Sequence, residues 1–299
     1  STGDMSIRRT WSRLINLFGI RWAIHPLLVF IILVSAATGY IRELVVLFAI
    51  VIVHELGHVL AMKAFGWRVR EIRLLPFGGE AETEEAGSVP AAEEAVVAAA
   101  GPLQNVWMGA AAFLGARLDG VDPEWAMYIA QANAVIALFN LLPAQPLDGG
   151  RLLSVWLAAR LPYQSALRWS ARIGLAMSAA MIAAACIPVF GGVQLNLLLV
   201  GLFLLASNWR TMRDIPYIFM RFLVRREADS ARARAKGTLA VPIVVQPASS
   251  VADVLRLFRR GRYHLVYVLG EEGRIERVVP EESVITSFFR SGGQNRAVS

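Results

Sequence analysis

The sequence predicts an α-helical polytopic membrane protein of about six transmembrane helices followed by a small C-terminal α/β domain. Three observations carry this prediction. Of 299 residues, 56% are hydrophobic and only 18% charged, well away from an average soluble domain. Apolar stretches near 23–40, 43–64, 92–116, 125–142, 171–189 and 193–209 are each long enough to cross about 30 Å of hydrocarbon. Beyond residue 225 the chain becomes charged and then alternates apolar and polar residues.

The elements divide at 1–22, 23–210, 211–240 and 241–299. The first is a cytoplasmic N-terminal segment in which Arg8, Arg9, Arg13 and Arg21 precede the first apolar run, with no small-residue cleavage site that would mark a signal peptide. Ser1 to Asp4 precede Met5 and read as residues added ahead of the native start. The second element is the membrane part. Basic residues gather after its second apolar segment (Lys63, Arg68, Arg70, Arg73), its fourth (Arg151, Arg160, Arg168, Arg172) and its sixth (Arg210, Arg213, Arg221, Arg225, Arg226). The remaining connections carry only Arg42 and Arg117, so the positive-inside rule puts both termini in the cytoplasm. The net charge of +7 follows these membrane-flanking positions and forms no nucleic-acid-binding face, so no nucleic-acid partner is expected; the lipid bilayer is. The third element, 211–240, reads as a charged, partly helical linker. In the last, strands at 241–245, 264–269 and 275–279 and helices at 251–260 and 281–289 make about 60 residues, near the lower limit for an independent core. Such a module needs a partner surface.

Within the second apolar segment lies His54-Glu55-Leu56-Gly57-His58. Residues four apart share one face of a helix, so His54 and His58 can offer two imidazoles to one metal with Glu55 beside them. Zinc would bring the pKa of a bound water to about 7, and Glu55 is the base that takes its proton. Three ionisable side chains deep in an apolar span each cost on the order of 2.5 kcal/mol or more, which argues against a string placed there by chance. The lone Cys186 excludes a disulfide framework and a cysteine-based site, so the metal must take His, Asp or Glu.

A catalytic zinc takes three protein ligands and leaves one position open. Asp148 is the best third candidate, in Asn140-Leu141-Leu142-Pro143-Ala144-Gln145-Pro146-Leu147-Asp148-Gly149-Gly150, where two prolines and a glycine pair break the fourth segment on the cytoplasmic side. Irregular backbone at that depth must be buried in protein or line a wet cavity. A helix cap on the following 151–161 segment is the plainer role for Asp148, and the two are compatible. His25, before Pro26, reads as an interfacial residue at the start of a span. After the second segment, Ile72-Arg73-Leu74-Leu75-Pro76-Phe77 can dip back as a hairpin or edge strand or run as a plain surface loop, before the acidic residues Glu80, Glu82, Glu84 and Glu85 return to water.

His54-Glu55-x-x-His58, Gly101-Pro102 within Ala99-Ala100-Gly101-Pro102-Leu103-Gln104-Asn105, and Asn140-x-x-Pro143-x-x-Pro146-Leu147-Asp148-Gly149 together resemble the site-2 protease family of intramembrane zinc metalloproteases. The resemblance covers about residues 20–210. Without a PDZ-like insertion and with a C-terminal module, the chain is most similar to the sporulation branch, which releases a sigma factor from a membrane-associated precursor near the cytoplasmic face. It implies His54, His58 and Asp148 as zinc ligands and Glu55 as general base. Asn140 would sit near the scissile peptide, positioning substrate or transition state, or would bond between helices. Gly101 and Pro102 would shape helix packing. A substrate helix must be unwound to be cut, and Ile72, Leu74, Phe77 and Gly78 belong to the segment that would hold it extended as an added strand. A membrane-associated protein substrate, a regulatory membrane protein and the membrane around the forespore are the implied partners and location.

The stretch from Val244-Val245-Gln246-Pro247 through Tyr263-His264-Leu265-Val266-Tyr267-Val268 to Gly273-Arg274-Ile275 resembles a single CBS motif. Such motifs pair, which implies a homo-oligomer, and paired copies often bind ATP. Pro280 and Ser283 stand where the usual ribose contacts would be, so a dimerisation or docking module is the alternative. A CBS-regulated zinc or ion transporter and an inactive zinc-containing scaffold use the same intramembrane residue types. Glu55 between the two histidines, and the lack of an internal repeat of the spans, favour a hydrolase over a transporter.

Overall fold

The computed structural model describes residues 12–17, 20–24, 38–75, 78–83, 89–187, 194–270 and 273–290. Strands β1 (Ser12–Leu17) and β2 (Ile20–Ile24) are followed by helix α1 (Ile41–Ala64), strands β3 (Val69–Leu75) and β4 (Gly78–Thr83), and helices α2 (Ala91–Gly115) and α3 (Pro123–Asn140). Helices α4 (Asp148–Arg160), α5 (Tyr163–Cys186) and α6 (Leu195–Lys236) come next. The chain ends on β5 (Ala240–Val245), α7 (Val251–Arg256), β6 (Tyr263–Leu269), β7 (Ile275–Pro280) and α8 (Glu281–Arg290). Two compact units result: Ser1–Leu142 with Leu147–Gly149, and Pro143–Pro146 with Gly150–Ser299.

In the first unit α1, α2 and α3 pack on one another. Helix α1 is apolar all round, yet Ile50, His54, His58 and Met62 are buried at every fourth position, so one stripe of it faces protein. Helix α2 buries its small and polar residues, Ala98, Gly101, Pro102 and Asn105, which lets the backbones approach closely, as bundles in lipid require. Helix α3 opens with Asp122 accepting from the Glu124 N–H at 2.9 Å and with Pro123 in its first position. The four strands form one sheet in the order β1-β2-β3-β4, with antiparallel outer pairs and a parallel pair, β2 with β3, in the middle.

Among the described residues four helices are long and apolar enough to cross a membrane: Ile41–Ala64, Ala91–Gly115, Tyr163–Cys186 and the Leu195–Arg226 part of α6. They correspond to the second, third, fifth and sixth predicted segments. The fourth segment is helix α3, an 18-residue element interrupted by Gln131 and Asn133 that does not join that set. Most of the first segment, 25–37 with His25, lies outside the described residues. The N-terminal segment carries strands β1 and β2, short sequences with one arginine each and no clear alternation. The 211–240 linker is largely helix, because Leu204, Asn208, Ile215, Phe219, Leu223, Arg226 and Ser230 continue one buried stripe past the end of the apolar run, until Gly237 at φ 71° ends it.

That stripe explains how so small a C-terminal module is stable. In the second unit the module's buried residues, among them Val254, Leu255, Phe258, Val266 and Ile285, share one core with Leu157 and Ala158 of α4, Tyr163 and Ala166 of α5, and Phe219 and Leu223 of α6. The Tyr163 N–H also donates to the Phe258 carbonyl at 2.9 Å. The partner surface the module needs is supplied by its own chain. Its sheet runs β5-β6-β7, parallel then antiparallel, and β6 alternates buried and half-buried residues. The predicted 251–260 helix ends early, at Arg256.

A buried ionic cluster joins α6 to the module. Arg226 donates from Nε and Nη2 to Glu281 Oε2 at 3.2 and 2.9 Å, and to the Arg259 and Arg262 carbonyls. Ser230 donates to Glu281 Oε1. The Arg259 N–H donates to His264 Nε2 at 3.2 Å, and His264 Nδ1 lies 2.9 Å from Arg226 Nη2 and 3.1 Å from Glu281 Oε2. Burial, reinforced by Arg226 and Arg259, holds the His264 pKa below its ordinary 6.5. Burial alone would raise Glu281, but His264, Arg226 and Ser230 outweigh it and hold the carboxyl below its ordinary value. Removing one partner leaves an uncompensated buried charge, so Glu281→Ala should cost about 3–5 kcal/mol. Both depressed pKa values give stability that is present at neutral pH and lost on acidification, beginning below about pH 6.5 for His264. Protease resistance of the module, followed from pH 8 to 5, should therefore fall below about pH 6.5 in the wild type; a flat profile would contradict the assignment.

Candidate metal centre

The first unit brings three ligand-type atoms to one point. His54 Nε2 and His58 Nε2 each stand 3.2 Å from Asp148 Oδ2 and 3.2 Å from each other. All three residues are buried, as is Glu55. The two rings meet nearly edge to face, with an interplanar angle of 80°. Helix α1 supplies the histidines from consecutive turns, and Asp148 is the first residue of α4.

What lies behind each ring determines what it presents to the centre. His58 Nδ1 donates to the Val97 carbonyl at 2.7 Å; a carbonyl can only accept, so the ring proton sits on Nδ1 and Nε2 keeps its lone pair. His54 Nδ1 donates to Asn105 Oδ1 at 2.5 Å, Asn105 Nδ2 donates to Asn133 Oδ1 at 3.0 Å, and Asn133 Nδ2 donates to the Ile129 carbonyl at 2.9 Å. The chain again ends on a carbonyl, so its direction is set throughout and His54 also aims a lone pair inward. Such outer partners are what hold ligand imidazoles in the right tautomer and orientation.

Two lone pairs and a carboxylate oxygen converging in a buried place repel one another unless a cation lies among them. Their 3.2 Å separations suit zinc: ligands at about 2.0 Å from a tetrahedral ion stand about 3.3 Å apart. Gly101 of α2 lines the same space, since a Cβ on it would stand 2.6 Å from His54 Nε2 and fall on His58 Nε2. The donor set and this opening fit a zinc ion.

Residues 43–124 and 120–181 match the family described as Peptidase family M50. The chain is 32% identical over 276 residues to Stage IV sporulation protein FB of Bacillus subtilis, covering 92% of this chain and 93% of that protein. The chain belongs to peptidase family M50. It is an intramembrane zinc metalloprotease of the site-2 type. Another relative, a zinc metalloprotease of Methanocaldococcus jannaschii, is 26% identical over 278 residues, covering 88% of this chain and 76% of the relative. The solved site-2 protease from Methanocaldococcus jannaschii superposes with a TM-score of 0.56 at 25% identity, covering 68% of this chain and 95% of that one.

Within this M50 peptidase the other expected site residues divide. Asn140 is the last residue of α3 and half-buried; its Nδ2 donates at 3.1 Å to the Ile136 carbonyl one turn back, where a bond to another helix was the alternative expectation. Ile72 and Leu74 lie in the hairpin β3–β4, whose second strand also carries Glu80 and Glu82, so a hairpin and not a plain loop is observed. As a strand-adding segment they are corrected: Ile72 pairs with Trp22 and Ala81, and Leu74 with Ile24 and Gly79, so β3 is occupied along both edges. Gly78 opens β4, which with β1 is one of the sheet's two edge strands among the described residues, and Phe77 lies outside them. Asn105 and Asn133 were not singled out for a role. Asn105 stands four residues after Gly101 on the stripe facing α1, a spacing that could have marked it; nothing in the sequence joins Asn133 to it.

Proposed function

We propose that His54, His58 and Asp148 hold one catalytic zinc, that Glu55 is the general base, and that the peptidase cuts a membrane-associated or transmembrane protein near the cytoplasmic face. The observation that carries this reading is the convergence of His54 Nε2, His58 Nε2 and Asp148 Oδ2 with both Nδ1 protons directed away. Zinc bound there supplies Lewis acidity to a water and to the scissile carbonyl. Glu55 takes the proton of the attacking water and passes it to the leaving amine as the C–N bond breaks, so one water is consumed per bond cut. Asn140 steadies substrate or transition state once its amide leaves the Ile136 carbonyl.

The substrate, locally unwound, adds to the edge of β4, which satisfies backbone groups that lipid would leave unpaired. Six spans over 23–210, both termini in the cytoplasm and a site opening to that side complete the reading; the basic residues flanking the apolar segments support it. The Bacillus subtilis relative, by its name a sporulation protein, supports release of a sigma factor from its precursor at the membrane around the forespore, under a regulatory membrane protein. The 241–299 module is a single CBS-like unit that pairs with a second copy. Exposed Val244 and Val278 flank Tyr267 on one sheet face, which supports pairing there. ATP binding rests on the motif resemblance alone.

The test compares membrane-protein fragments in cells carrying the wild-type chain and cells carrying Glu55→Gln; a fragment seen only with the wild type names the substrate, and identical fragment patterns would reject the reading. For the edge strand, proline at Glu80, Ala81 or Glu82 should cut cleavage at least tenfold while zinc content stays at the wild-type level. Unchanged cleavage in all three would remove β4 from substrate binding.

A further inference from the structure

The Pro143–Pro146 loop carries a backbone problem. Its two prolines have no N–H, Ala144 is fully buried, and neither helix nor sheet offers partners to the Gln145 peptide groups. Asn208, fully buried on α6, supplies both. Its Oδ1 accepts from the Gln145 N–H at 3.1 Å, and its Nδ2 donates to the Gln145 carbonyl at 2.9 Å and to the Leu204 carbonyl at 2.8 Å. The side-chain amide thus acts as a two-sided backbone mimic. Gly174 of α5 makes room for it, since a Cβ there would fall on Asn208 Oδ1. From the other side, the first turn of α4 closes on the loop: a Cβ at Gly150 would come within 2.6 Å of the Ala144 carbonyl, and Gln145 Nε2 reaches Ser154 Oγ at 3.5 Å.

We propose that Asn208 is a positioning residue for the metal centre. By gripping the Gln145 peptide on both its N–H and its C=O, it sets the path of the chain three residues before Asp148, and with it how that ligand enters α4. A buried amide in an otherwise apolar span is costly, and here all its hydrogens are used on this one loop and its own helix. The inference rests on Asp148 being a zinc ligand.

The experiment uses the full chain in detergent, loaded with zinc, and follows zinc transfer to a chromophoric chelator alongside cleavage. Asn208→Leu should release zinc roughly 10- to 100-fold faster, the range seen when a ligand loses its supporting partner. Asn208→Asp keeps the acceptor for Gln145 and loses both donors, so it should fall between. Gly174→Ala touches no loop residue yet pushes into Asn208, and it should accelerate release as well. Ser178→Ala is the control: Ser178 is equally buried on α5 but bonds only the Gly174 carbonyl, so its release should match the wild type. Wild-type release in folded Asn208→Leu and in Gly174→Ala, or equally fast release in Ser178→Ala, would overturn the positioning role. If Asn208→Leu does not fold, Asn208→Asp and Gly174→Ala decide. Unaltered zinc content in Asp148→Ala would instead overturn the ligand assignment.

Discussion

Glu55→Gln should reduce cleavage by about 1,000-fold while leaving one zinc per chain, because a positioned base contributes roughly 10²- to 10⁴-fold and glutamine keeps the shape but not the basicity of the side chain. Glu55 is buried on α1 directly after His54 and three residues before His58, and it contributes none of the three converging atoms, so the substitution leaves the donor set untouched. Zinc content by metal analysis, thermal unfolding, and cleavage of a membrane-embedded substrate in detergent together check this result. A variant that cleaves at the wild-type rate would sink the mechanism, and one that loses zinc would make Glu55 part of the metal's support.

The second large effect is expected at a residue with no chemistry of its own. Gly101→Ala introduces a methyl group into the space facing both Nε2 atoms, 2.6 Å from His54 Nε2 and closer still to His58 Nε2. The neighbours are the ends of two imidazole rings held from behind by Asn105 and the Val97 carbonyl, so they cannot turn away without breaking those bonds. We expect zinc binding and cleavage to be lost together, with an overpacking cost of about 1–3 kcal/mol. Gly115→Ala on the same helix is the comparison, because nothing lies within 4 Å of a Cβ there. It should keep full zinc and activity. Zinc retained in Gly101→Ala would show that the ion does not sit among these atoms.

How much of this was legible beforehand depends on the range of the interactions involved. Residues four apart in a helix are neighbours whatever the rest of the chain does, so His54, Glu55 and His58 declared themselves as one face. The alternation of β6 and the boundaries of β5, β7 and α8 were likewise local, and the structure places them within a residue of expectation. Strands β1 and β2 were not legible, because a strand of five or six residues without clean alternation shows itself only through its partner. The edges of β3 were misjudged for the same reason: which side of a strand is free depends on neighbours from distant sequence. The hydropathy of α6 falls after residue 209 while its buried stripe runs on through Ile215, Phe219, Leu223, Arg226 and Ser230, the last two bonding to Glu281, which hydropathy cannot register.

By itself the sequence determined the chemistry: a membrane chain with two histidines, a glutamate and an aspartate at broken-helix positions, and no usable cysteine, which together leave a zinc hydrolase as the natural reading. Tertiary structure alone decided how those groups are held. The Asn105–Asn133–Ile129 chain behind His54, the carbonyl of Val97 behind His58, the bare Gly101 in front of both, and Asn208 under the loop before Asp148 lie up to 63 residues apart in their pairings. Ligand identity is a property of side-chain type and local spacing, whereas ligand orientation depends on hydrogen-bond partners and close approaches that only packing brings together.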